Sequence, residues 1–237
     1  MIFRIGIENN VQGRSLAYVL EHPGCFAYGE DSQSLLVALP DAIANYSDWI
    51  ANRCVSESWL DLSQGEIELY LEETWDVYSI DENFDPAENG YEVDAWFRHD
   101  WKPLTKQEID HGLQILDWSR ADLLACIAGL SPVELSLPHP GERWNIDGIL
   151  RHVAKAEWWY LDRLGLSIPW EEMPEETPAR LERSRKRLLE VLPTLIGLKK
   201  VVGIDGEFWS PRKLLRRAAW HERDHTQHII KLTRAWM

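Results

Sequence analysis

WHERDHTQHI, residues 220–229, and RHVAKAEWWYLDRL, residues 151–164, are the stretches whose reading decides the fold. In both, apolar and aromatic residues recur every three to four positions, the spacing of one face of an α-helix. Each helical residue turns by about 100°, so His221 and His225 lie about 40° apart and His228 falls about 20° to the other side of His221. All three therefore project from one stripe. An i, i+4 histidine pair brings two imidazoles to one point and can chelate a divalent cation, although two histidines alone make a weak site. His152, in the middle of an otherwise apolar helix face, supplies a third ligand if the two helices face each other in a bundle. Three neutral imidazoles leave a position for water or substrate, the arrangement of a catalytic rather than a structural zinc site.

Boundary signals around these stretches outline four helices. Thr105 and Glu108 form a capping box ahead of an apolar stripe from Ile109 to Ile127 that runs to Gly129. Asn145 caps a second helix ending before Gly165. Thr177 and Pro178 open a third, weakened in its last turn by Pro193, and Ser210 and Pro211 open a fourth. With a longer connection after the second, this order predicts a four-helix bundle over residues 104–237.

WNIDGILRHVAKAEWWYLDRL, residues 144–164, and GEFWSPRKLLRRAAWHERDH, residues 206–225, resemble the two signature segments of the DinB/YfiT-like metalloenzyme superfamily. The resemblance implies a divalent metal, with zinc or nickel ahead of iron, on His152, His221 and His225. It further implies a metal-dependent transferase or hydrolase acting on a small molecule, with thiol-dependent transferases and isomerases among the relatives and a low-molecular-weight thiol as co-substrate. A homodimer through bundle helices is also expected. No serine, cysteine or lysine stands out as a covalent nucleophile, so activity would rest on the metal. His228, Glu157 and Asp224 are candidates to support the ligands from outside. Glu157 lies about 140° around its helix from His152, which suits pairing with a basic residue of another helix or orienting a histidine. Glu222 and Asp224 read as solvated carboxylates. Trp144, Trp158, Trp159, Trp209 and Trp220 read as packing residues, and the basic run at residues 180–190 as a solvated face or a dock for an acidic partner.

The first hundred residues differ in kind. Phe3–Glu8 and Ser15–Leu20 are β-branched and aromatic runs around a turn-rich NNVQG, which predicts a hairpin. After the turns of HPGCFAYGED, Asp31 or Ser32 can cap a helix whose apolar face runs from Leu35 to Ile50, with Pro40 kinking it. Ile67, Leu69 and Leu71 then alternate with Glu66, Glu68 and Glu72 as a half-buried strand. The segment PGCFAYGEDSQSLLVALPDAIANYSDWI, residues 23–50, is similar to the HicB-like antitoxin fold, a small sheet against one helix. The predicted class is α+β: a HicB-like lobe over residues 1–100, then the bundle. His22 and Cys25 beside the turn read as structural.

Composition narrows the function. Residues up to Leu104 hold 20 acidic and 5 basic side chains, and the rest hold 19 and 20, so the two parts carry −15 and +1. The acidic part repels phosphate backbones, which argues against nucleic acid as a partner and favours a basic one. A non-catalytic protein, with the bundle as scaffold and the acidic lobe recruiting a basic partner, is the alternative reading. Three widely spaced cysteines suggest neither disulfides nor a thiolate zinc site. With no leader-like start and no long apolar run, a cytoplasmic protein without a membrane partner is expected.

Overall fold

Phe3, Ile5 and Ile7 are buried on one face of β1, Ile2–Val11; on the other face Arg4 is exposed, but Gly6 and Glu8 are buried as well, so the middle of the strand is covered on both sides. In the computed structural model, which describes residues 1–55 and 57–234, β1 pairs antiparallel with β2, Arg14–Val19. Asn10, Gln12 and Gly13 turn between them at positive φ. β3, Phe26–Gly29, adds to β2. α1, Ser32–Ala51, is capped by the Asp31 carboxylate, which accepts from the Ser34 amide at 2.7 Å. It runs continuously through Pro40 and buries Leu35, Leu39, Ile43 and Ile50. β4, Glu68–Asp76, returns parallel to β1, giving the order β3-β2-β1-β4.

The strand around Leu69 and Leu71 is less regular than the alternation predicts. Ile5 pairs with Leu71 while Gly6 pairs with Glu73, so Glu72 is an extra residue in β4. A bulge of this kind breaks the in–out alternation, and Leu71 is exposed. Two hairpins complete this unit. β5, Tyr78–Ile80, pairs with β6, Tyr91–Val93. β7, Val202–Ile204, pairs with β8, Glu207–Trp209, around Asp205 and Gly206 at φ 51° and 76°. Two successive positive φ values are the signature of a type I′ hairpin, which Asp-Gly favours.

Among the described residues the chain divides into two compact units, Met1–Lys102 with Gly203–Trp209, and Pro103–Val202 with Ser210–Met237. The hairpin sequence that the sequence reading assigns to the bundle therefore belongs with the first unit. It leaves between the third and fourth bundle helices, and its Phe208 packs on Trp96 and Trp101 at ring separations of 5.2 and 5.5 Å.

The second unit is helical. α2, Lys106–Ile127, begins at the Thr105–Glu108 capping box. Arg212 also grips Glu108 at 2.6 and 2.9 Å. Burial would raise the Glu108 carboxyl, but Arg212 and the Thr105 bonds outweigh it and hold it at about 2. A short α3, Pro132–Ser136, precedes α4, Ile146–Asp162, which Asn145 caps. α5, Thr177–Val191, gives way to a 3₁₀ turn, Leu192–Leu195, where Pro193 cannot continue the helix ladder. α6 spans Pro211–Arg234. The bundle is thus α2, α4, α5 and α6. Its core gathers Leu123, Ile149, Leu150, Val153, Leu181 and Ile229. A Cβ on Gly112 would sit 2.8 Å from the Leu215 side chain, so glycine lets α2 and α6 approach closely.

Candidate metal centre

α4 and α6 bring His152, His221 and His225 together, with one ring nitrogen from each within 4.8 Å of the others. His221 Nε2 stands 3.0 Å from His152 Nε2 and 3.2 Å from His225 Nε2. A neutral imidazole nitrogen either donates once or accepts once. Three such nitrogens turned toward one another can satisfy at most one hydrogen bond among them and leave at least one nitrogen unsatisfied. His225 Nδ1 is also buried without a hydrogen-bond partner. A donor set of this kind fits a cation better than it fits itself.

Protonation does not relieve the crowding. Burial, then the cations Arg143 and Lys155, lower His152 to about 4. Burial, then His152 and His228, lower His225 to about 3. His221 is depressed well below the usual range by burial, then by His225, His152 and Arg217. All three are therefore neutral near pH 7, the state in which imidazole ligates. Aromatic rings hold them in place. Trp144 stacks on His152 with centroids 4.7 Å apart, and Tyr160 and Trp220 meet His221 at 5.9 and 5.7 Å. His221 is buried, whereas His152 and His225 are half-buried, so the centre has an accessible side.

Of the residues expected to support the ligands, Glu157 takes the other course open to it, pairing with basic residues of other helices. His228 Nε2 faces Glu142 Oε2 at 3.0 Å, and its ring lies 6.2 Å from that of His225. It neighbours the centre but is bound to a carboxylate. Asp224 is half-buried on α6. Glu157 belongs to a second cluster. It accepts from Arg120 at 3.1 Å, from Ser184 at 2.8 Å and from Arg185. Glu222, read above as solvated, is fully buried and accepts from the same Arg120 at 2.5 Å and from Arg185. Arg185, in the basic run read as a solvated face or docking segment, is buried as well.

These four residues form an ion quartet with one member from each bundle helix: Arg120 of α2, Glu157 of α4, Arg185 of α5 and Glu222 of α6. Spare donors go to main-chain carbonyls, Arg120 to Leu181 and Arg185 to Leu116. Burial alone would raise the Glu157 carboxyl, but Arg185 and Arg120 outweigh it and keep it below the usual range.

The sequence reading missed both arginines, although a signal was present: each replaces an apolar residue on an apolar stripe. Arg120 follows Leu116 and precedes Leu123, and Arg185 lies between Leu181 and Leu188. It reads Trp144 with the packing tryptophans, one or two of which are free to line a pocket, and no spacing rule ties a residue outside the helix to His152.

Residues 115–229 match the DinB superfamily. The DinB match contains the three histidines and all four members of the quartet. Among solved structures, the chain is similar to TT2238, a four-helix bundle protein, at 29% identity and a TM-score of 0.41, over 51% of this chain and 97% of that one. It is also similar to YfiT from Bacillus subtilis, described as a probable metal-dependent hydrolase with an unusual four-helix bundle topology. There the identity is 19% and the TM-score 0.47, over 62% of this chain and 95% of that one. No curated protein matches the chain. Among the described residues, no helix is long and apolar enough to cross a membrane.

Proposed function

We propose that this chain is a divalent-metal-dependent enzyme of the transferase or hydrolase class, with the ion held by Nε2 of His152, His221 and His225. The observation that carries this reading is the convergence of three neutral imidazole nitrogens in a partly buried, aromatic-walled site. Imidazole sets of this kind suit zinc, nickel or iron. When bound, such an ion supplies Lewis acidity, lowering the pKa of a water or thiol and polarising a carbonyl. The chain's own groups prepare the site: Trp144 fixes the plane of His152, Tyr160 and Trp220 wall His221, and the half-buried edges of His152 and His225 leave room for a small substrate. A low-molecular-weight thiol is the co-substrate we favour, because no serine, cysteine or lysine stands out in the sequence as a covalent nucleophile of the chain's own. For the first unit we retain a HicB-like module, supported by its small sheet, Pro-Gly turn and single helix.

The rival reading, a scaffold that uses its acidic lobe to recruit a basic partner, draws support from the quartet, which ties all four helices without a metal. Elemental analysis of protein purified without an affinity tag separates the two. We expect near-stoichiometric metal in the wild type and its loss in His221→Ala plus His225→Ala at matched helicity. A wild type without metal that takes up neither zinc nor nickel on titration leaves the scaffold.

A further inference from the structure

Fixed positive charge surrounds the histidine centre. Arg143 lies with its guanidinium carbon 4.6 Å from the centre of the Trp144 ring, and Trp144 in turn stacks on His152 at 4.7 Å. Lys155 follows His152 by three residues on α4, which places it about 60° around the helix on the neighbouring strip of surface. Both Arg143 and Lys155 are exposed, so they stand where the site meets solvent. On α6, Arg217 precedes His221 by one turn and lies 4.5 Å from the Trp220 ring, itself 5.7 Å from His221. Three carboxylates of this region have cationic or imidazole partners. Glu142 faces His228, and Glu157 and Glu222 are held by Arg120 and Arg185. The fields of Arg143 and Lys155 reach His152, and that of Arg217 reaches His221.

From this placement we infer that the molecule reaching the centre is anionic, and that Arg143 and Lys155 select it by contacting its charged group. This rests on the metal reading above. A divalent ion adds to the positive charge already there, which disfavours an entering cation, whereas an anionic group on the substrate or thiol satisfies the exposed Arg143 and Lys155. Attraction of this kind acts on both encounter and binding. Arg143 and Lys155 are thus specificity residues outside the ligand set.

The test uses cobalt-loaded full-length protein, whose visible absorbance reports a thiol entering the metal's coordination, and three small thiols of different charge: mercaptoacetate, 2-mercaptoethanol and 2-aminoethanethiol. Arg143→Gln plus Lys155→Gln should retain cobalt in full. Against wild type it should weaken mercaptoacetate about tenfold, leave mercaptoethanol within about twofold and strengthen the amine. Arg143→Lys, which keeps the charge, should keep most of the preference. Comparing each thiol with itself across the variants cancels differences in thiol acidity. Equal changes for all three thiols, or none, would overturn the inference while leaving the metal centre standing. A wild type that takes up no cobalt overturns the metal reading itself, and this inference with it.

Discussion

Two buried polar clusters share α4 and α6, and they are built on opposite principles. In the quartet, two carboxylates meet two guanidiniums, charges cancel, the guanidinium donors reach carboxylates or main-chain carbonyls, and the Ser184 hydroxyl donates to Glu157. In the histidine cluster, three like groups turn the same atom inward and none can satisfy the other two. Burying polar groups is costly unless they are paired. A saturated network therefore fixes which helix faces which, while an unsaturated one leaves its nitrogens to the ion we propose there. On that reading the contrast separates structural from functional polarity inside one helical bundle.

The sharpest way to break the comparison is to remove one member of the quartet. Arg185→Met leaves two buried carboxylates sharing Arg120, and unfolding by urea should show a loss of about 3–5 kcal/mol. A loss below about 1 kcal/mol would mean that water or rearrangement compensates and that the quartet does not set the helix register.

The histidines should behave in the opposite sense. His221→Ala in metal-free protein should change stability far less than Arg185→Met. The wild type, but not the variant, should gain about 2.7 kcal/mol when free zinc reaches a hundred times its dissociation constant. Thermal unfolding with zinc and with chelator checks both statements, and an equal zinc effect in the variant would place the metal elsewhere.

Acid sharpens the same contrast. The centre's histidines have folded pKa values lowered to about 4 for His152 and about 3 for His225, while unfolded histidine titrates near 6.5. Between these limits the unfolded chain binds more protons, so metal-free stability should fall as pH drops from about 6.5 toward 4. Replacing all three histidines by glutamine should flatten that slope in denaturant titrations. An unchanged slope would assign the acid sensitivity to carboxylates instead.

The smallest effect is expected at the surface. Arg151 pairs with Asp147 one turn away at 2.8 Å, with both side chains partly in solvent. Arg151→Ala should cost less than about 0.5 kcal/mol and leave metal content unchanged, because exposed pairs are screened and bear an entropic cost. A larger loss, measured by the same urea titration, would blur the line between surface pairing and the quartet.

Much of this was legible in the sequence, and the reason is local. The caps at Asp31, Thr105 and Asn145 act within three residues, so sequence alone locates those helix starts. The stripe of His221, His225 and His228 follows from helical period. The elements that escaped are short or bulged: β3, the two hairpins, and the extra residue in β4. A three- or four-residue strand has too little periodicity to detect, and its pairing partner lies far along the chain. Asp205-Gly206 was a readable hairpin signal, but its flanking strands of three residues are too short to show alternation.

What the sequence by itself determined is the set of long helices, the caps at Asp31, Thr105 and Asn145, and the three imidazoles that can share a ligand, because all of these depend on spacing within one turn or on residue chemistry. Only the tertiary structure decided that His152 meets His221, that His228 turns to Glu142, and that Glu222 is buried rather than solvated. It also decided that four charges from four helices cancel in one place. Each of those outcomes is a choice among partners distant in sequence. Helical period gives the face on which a side chain lies, but only packing gives what that face meets.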